Sequence, residues 1–157
     1  MIAGQTRHWI DPVAGPAKAA SLLRNGGRLA VFWNVFNPSA DVAEAFSAVY
    51  RRVAPELPSS RAWAGPMNAY SALGARTAHG LRDAGAFGEP DEWRFDWQRT
   101  YTRDEWLDQL PTTGDASQLP PAKLGELLEG VGGAIDALGG EFTMDYSAVV
   151  VTATRTS

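Results

Sequence analysis

Cysteine is absent from the 157 residues. That removes disulfides, thiolate metal sites and cysteine nucleophiles together. Histidine is nearly absent: only His8 and His79 occur, too few for a histidine-rich centre, and no metal site is expected. Lysine is scarce, with Lys18 and Lys123 standing against an otherwise all-arginine basic set. Together with abundant alanine, this reads as the bias of a GC-rich bacterial genome and carries no functional message. An excess of positive charge is lacking too. The net charge is −4 and the pI about 5.1, so no broad surface attracts a phosphate backbone and nucleic acid is not an expected partner. Long apolar runs are missing. The strongest, Leu29 to Trp33, is far too short to cross a bilayer, and Met1 is followed by neither a basic region nor an apolar signal core. A cytoplasmic protein with no membrane partner is the expectation.

What is present is ordinary globular composition: 45% hydrophobic and 20% charged residues, enough chain for one domain, 1–157, with a real core. Ile2-Ala3-Gly4 reads as the end of a strand. Asp11-Pro12 is a helix start, with Asp as cap and Pro at the first helical position. Val13, Ala17, Ala20 and Leu23, with Leu22 beside it, supply the stripe. Asn25-Gly26-Gly27 ends the helix. Arg28 to Trp33 is a continuous apolar run, which suits a strand buried on both faces. Residues 1–33 are thus one strand–helix–strand unit. Asn37-Pro38-Ser39 reads as loop and cap before a helix carrying Val42, Phe46, Val49, Tyr50 and Val53. A further helix is expected over Leu73 to Asp83, stopping near Gly85. Trp93, Phe95 and Trp97 alternate with Arg94, Asp96 and Gln98, the pattern of a half-buried strand. Thr102 to Glu105 is a capping box. Leu124, Leu127, Leu128, Val131, Ile135 and Leu138 share one helical face that ends at Gly139-Gly140, and a last strand runs from Phe142 to about Thr154. The alternation makes this an α/β protein with a mixed sheet, the last strand pairing antiparallel at or near an edge.

Several features invite a chemical reading. Gly130-Val131-Gly132-Gly133 resembles a phosphate loop, but it sits inside a helical stripe and close helix packing explains it better. Asp104 and Glu105 are explained by the capping box. There is no Gly-x-Ser-x-Gly elbow and no Walker loop. Core packing accounts for Trp93, Trp97 and Trp106. Trp63 and Tyr70, in irregular sequence, are the better substrate-side candidates. Asn34 follows the buried strand and reads first as a turn residue.

Three stretches resemble a known family. Ile2-Ala3-Gly4-Gln5-Thr6-Arg7-His8-Trp9-Ile10-Asp11-Pro12 looks like the segment after the fourth strand of bacterial small-molecule methyltransferases of class I (type 11-like). Leu22 to Val31 looks like that family's helix-to-fifth-strand turn. Leu138-Gly139-Gly140 followed by Phe142 to Arg155 looks like its last helix and strand. The resemblance implies the C-terminal half of a Rossmann-like sheet, about four strands with flanking helices, and a variable cap-like insert over residues 55–90. It implies S-adenosylmethionine as cofactor, with Gly4, Gln5 and Thr6 on the cofactor side. His8, Trp9, Asn34, Trp63 and Tyr70 would face a small-molecule substrate. The family's Gly-rich turn and ribose-binding acidic residue have no counterpart in the chain and are expected upstream of Met1. The first strand would then present an unpaired edge, expected to pair with a second copy or another chain. Three functions stay open: a methyltransferase portion inactive without its other half or a partner, a non-catalytic binding or oligomerisation module, and an enzyme of another kind using the cleft under the aromatics.

Overall fold

A computed structural model describes residues 1–6, 10–63 and 66–156, with the backbone alone for residues 62 and 66–70. The elements run β1 (Ile2–Gly4), α1 (Ala14–Leu22), β2 (Arg28–Pro38), α2 (Ala40–Val53), α3 (Ser59–Ala62), α4 (Pro66–Asp83), β3 (Asp91–Thr102), α5 (Arg103–Gln109), α6 (Pro121–Ala137) and β4 (Glu141–Thr154). Two short 3₁₀ turns, Leu110–Thr112 and Ala116–Gln118, lie between α5 and α6. The strands form one four-stranded mixed sheet in the order β1-β2-β4-β3, an open α/β arrangement with flanking helices. The last strand therefore lies inside the sheet, and β1 and β3 are its two ends. The chain divides into two compact units: Met1–Val35 with Met67–Trp97 and Tyr146–Ser157, and Phe36–Pro66 with Gln98–Asp145.

In the first unit β1 pairs parallel to β2, with Ile2 opposite Ala30 and Gly4 opposite Phe32. Helix α1 begins at Ala14 with Val13 as its N-cap, two residues later than expected, but Asp11 still serves the helix start: its carboxylate accepts from the Val13 and Ala14 amides at 2.9 and 2.7 Å. The buried face of α1 differs from the expected stripe. Pro16, Ala19 and Ala20 face inward, with Leu23 half-buried, while Val13, Ala17 and Leu22 are exposed. Small residues at the contact let the helix lie close to the strands, and the larger side chains flank it instead.

Strand β2 is also not buried on both faces. Leu29, Val31, Trp33 and Val35 are buried, while Ala30, Phe32 and Asn34 between them are only half-buried. Period-2 alternation of this kind marks a sheet covered on one face. The covering comes from α1 and from α4, whose Leu81 joins Leu29, Val31, Trp33, Val151 and Ala153 in one core cluster. β2 continues to Pro38, past the expected loop.

The largest departure is β3. Its residues from Asp91 to Thr100 are all exposed. Trp93, Phe95 and Trp97 show 43%, 58% and 41% of their surface, so Trp93 and Trp97 are not core residues. The alternation was real, but β3 is an end strand, and its side chains from Asp91 to Thr100 stay exposed on both faces.

The second unit is closed. Val42, Phe46, Val49 and Tyr50 of α2 are buried as their spacing implies, as are Leu127, Val131 and Ile135 of α6. The Thr102 capping box is formed: Glu105 N donates to Thr102 Oγ1 at 3.3 Å, and Thr102 N donates to Glu105 Oε2 at 3.0 Å. Trp106 is buried.

Candidate functional site

The site the sequence points to lies at the carboxyl end of a parallel strand, where strands of open α/β sheets present ligand-binding loops. Gly4 closes β1, and Gln5 follows with φ of +54°. A non-glycine residue in the left-handed region is uncommon and concentrates at turns and functional sites. Two bonds hold Gln5 there. Its amide donates to the Phe32 carbonyl at 3.0 Å, and its side-chain Nε2 reaches the Asn34 carbonyl at 3.4 Å. The structure thus brings Gln5 and Asn34 together. Asn34 is a strand residue and not the expected turn: it is half-buried within β2.

Gly4 is required by close approach. An ideal Cβ there would come within 2.4 Å of the Phe32 ring. The space beside Gly4 is therefore filled by the protein's own aromatic ring, and it is not a cradle left for a ligand. Thr6 is exposed next to this turn. His8 and Trp9 lie outside the described residues. Tyr70 falls in α4 where the backbone alone is described. Trp63 belongs to the second unit, where it is buried in an aromatic cluster. Its ring centroid lies 4.9 Å from Phe36 and 5.0 Å from Phe46. It packs as a core residue. Gly4, Gln5 and Asn34 are the expected site residues that the structure gathers.

A groove beside β1, also in the first unit, had no counterpart in the sequence pattern. It has a volume of about 390 Å³ and is lined by Met1, Ala3, Ile10, Ala19, Leu22 and Val31 among others, overwhelmingly apolar. Its residues are spread over β1, α1 and β2, so no local motif announces it. The second unit carries a wider concavity of about 650 Å³ between α2 and α6, bordered by Arg52, Glu126, Glu129 and Gly130. One glycine of the loop-like motif is accounted for here, while Gly133 has open space beside it. Gly130 lies inside α6, and a Cβ on it would come within 2.7 Å of Val49 Cγ1. Close helix packing is its role.

Electrostatics add little chemistry to the turn. Asp96 is held below the usual carboxylate range by hydrogen bonds from Ser147 and Arg94. Glu105 is lowered by the Thr102 amide of its capping box. Burial, followed by the Asp115 charge, pushes the Tyr50 hydroxyl up. Each shift belongs to a structural pair or a core position, and none belongs to the Gly4–Gln5–Asn34 group. His79 is exposed on α4 and pairs with Asp83 at 3.1 Å. Among the described residues no group of metal-ligating side chains occurs, and no helix is long and apolar enough to cross a membrane.

No protein-family model matches the chain, and no curated protein matches it significantly. Solved structures do. A candidate type II methyltransferase from Anaeromyxobacter dehalogenans superposes with a TM-score of 0.57 at 17% identity. The match covers 98% of this chain and 63% of that one. A candidate methyltransferase from Bacillus halodurans (TM-score 0.43, 16% identity) and the YcgJ protein from Bacillus subtilis (0.40, 12%) align over 99% of this chain and 64% of theirs. The first of these establishes that the chain has a methyltransferase-like fold, and that it spans less than two thirds of that neighbour's length.

Proposed function

We propose that this chain is the C-terminal portion of a class I methyltransferase that uses S-adenosylmethionine on a small molecule. On this reading the cofactor pocket is completed by polypeptide joining at the β1 edge, from a second copy or another chain. The observation that carries the reading is the turn at Gly4–Gln5. It sits at the carboxyl end of an end strand, with a left-handed Gln5 tied to the neighbouring strand. The 63% coverage of the methyltransferase neighbour fits the same reading.

The residues present do not by themselves fit the cofactor. The hollow that Gly4 could offer is occupied by Phe32, and among the described residues no glycine-rich phosphate-type turn follows β1. What the chain contributes is one wall: neutral polar groups at Gln5, Thr6 and Asn34, with His8 and Trp9 following in the sequence. Gln5, Thr6 and Asn34 can orient ligands but do no acid–base work, which leaves proton transfer in this stretch to a group such as His8. Such orientation suits group transfer, in which positioning of donor against acceptor supplies much of the rate.

A second reading rests on a separate observation. Among the described residues, every exposed large hydrophobic side chain, from Met1 and Ile2 to Trp97, lies in the first unit. A non-catalytic module that docks partners through that unit would carry the same surface. Calorimetric titration with S-adenosylhomocysteine, with light scattering on the same sample, separates the two. Micromolar binding by an assembled species supports the methyltransferase reading. Failure of every assembled species to bind at millimolar ligand discards it in favour of the module.

A further inference from the structure

Natural sheets blunt their end strands with lysine, proline, bulges or short length. Strand β3 carries charges at Asp91, Glu92, Arg94, Asp96 and Arg99, but it has no lysine or proline and it is not short. It runs twelve residues, Asp91–Thr102, without a glycine, and it closes one end of the sheet. Its central segment is Trp93-Arg94-Phe95-Asp96-Trp97, with the three aromatic rings on one face and the two charges on the other.

These side chains are already ordered. Trp97 stacks on Tyr146 of β4 with centroids 4.2 Å apart and planes 9° apart. The Arg28 guanidinium lies over the Trp93 ring at 5.3 Å. Arg94 Nε donates to Asp96 Oδ1 at 2.8 Å, and Ser147 Oγ donates to the same oxygen at 2.6 Å. A surface held this way loses little side-chain freedom when something binds it.

The segment is complementary to itself. When two copies of β3 lie antiparallel with Phe95 opposite Phe95, Trp93 of each copy meets Trp97 of the other and Arg94 meets Asp96. Aromatic and opposite-charge cross-strand pairs are the favourable ones. Sliding the pairing by one step in either direction that keeps the faces matched places Asp96 opposite Asp96, or Arg94 opposite Arg94. A slip of odd parity sends the aromatics to the wrong face. Charge therefore selects one register, and that register is two-fold symmetric, the geometry of a closed dimer.

From this self-complementarity we infer that the β3 edge is a homodimer interface, joining two sheets through antiparallel pairing centred on Phe95. The inference stands apart from the proposed activity and from the β1 edge.

A charge exchange tests it. Arg94→Asp and Asp96→Arg each place two like-charged pairs across the interface. Sedimentation should show the unaltered chain as a dimer and each variant weakened about tenfold or more. An equimolar mixture of the two variants restores opposite charges at positions 94 and 96 in both directions and should dimerise again. Circular dichroism melts confirm that both variants are folded. An unaltered chain that is monomeric at high micromolar concentration overturns the inference, as does association indifferent to either substitution. So does a mixture of folded variants that stays monomeric, and in each case the exposed aromatics serve another partner.

Discussion

The two units bury their aromatics in opposite ways. In the second, Phe46, Trp63, Trp106 and Phe142 form a mutual cluster with centroids about 5 to 6 Å apart, and all are buried. In the first, Trp93, Phe95 and Trp97 stand exposed on β3, while Ile2 and Leu22 show 76% and 63% of their surface. The sequence is equally apolar in both places. What differs is whether anything in the described chain covers the face concerned. The second unit is a finished core. The first has one finished face, under α1 and α4, and exposed large hydrophobic side chains beyond it. A function that depends on association belongs on the first unit, and stability should respond most to changes in the second.

That contrast is tested hardest by Phe46→Ala. The side chain is fully buried, and its removal leaves a cavity among rings, so a loss of about 3–5 kcal/mol is expected in denaturant unfolding. A loss near 1 kcal/mol would mean that the second unit is as loosely filled as the exposed face of the first.

Two glycine-to-alanine changes sharpen the comparison. Gly130→Ala drives a methyl against Val49, a stiff β-branched residue inside a helix contact. Overpacking there should cost about 1–3 kcal/mol despite alanine's better helix propensity. Gly4→Ala meets the free end of Phe32, a half-buried ring on the less covered face. The ring can swing away, so the cost should sit near about 1 kcal/mol, at the lower end of overpacking effects. Equal losses at the two sites would contradict the difference in closure. Thr102→Ala removes the side-chain half of the capping box and should cost about 1 kcal/mol.

Acidification is expected to act more weakly. Asp96 has a depressed pKa in the folded chain. Its contribution to stability is therefore complete above the ordinary aspartate range and is lost as pH falls through the depressed folded value. The group is solvent-exposed and screened, so the effect should be a slight downward trend in melting temperature on acidification, abolished in Asp96→Asn. A melting profile of Asp96→Asn identical to that of the unaltered chain at every acid pH would remove Asp96 from the account.

Local signals were legible because they are local. The Thr102–Glu105 box, the α2 and α6 stripes and the glycine ends of helices depend on residues a few positions apart, and each is where its spacing implies; Asp11 supports the start of α1 two residues before its N-cap Val13. Coverage is not local. Arg28 to Trp33 reads as doubly buried, and Trp93 to Trp97 as half-buried, because periodicity reports which residues share a face and says nothing of what lies over it. Likewise Trp63 reads as a substrate-side residue in irregular sequence because its neighbours Phe36, Phe46 and Trp106 are distant in the chain. Of the site, Gly4 and Gln5 were legible from a short motif. The contact that ties Gln5 to Asn34 depends on the β1–β2 register, which no spacing within one segment specifies.

The smallest expected effect is the most informative about the first unit. Leu22 lines the apolar groove beside β1 and is largely exposed. An unpartnered exposed leucine contributes little to folding, so Leu22→Ser should change stability by less than about 0.5 kcal/mol. The same substitution places a hydroxyl on the groove wall. If the groove is covered when another chain joins at β1, Leu22→Ser should weaken that association while leaving the melting temperature of the isolated chain unchanged. A clear drop in melting temperature would instead mean that Leu22 is already covered within the chain in solution. The contrast between a closed second unit and an open first unit would then fail at this position.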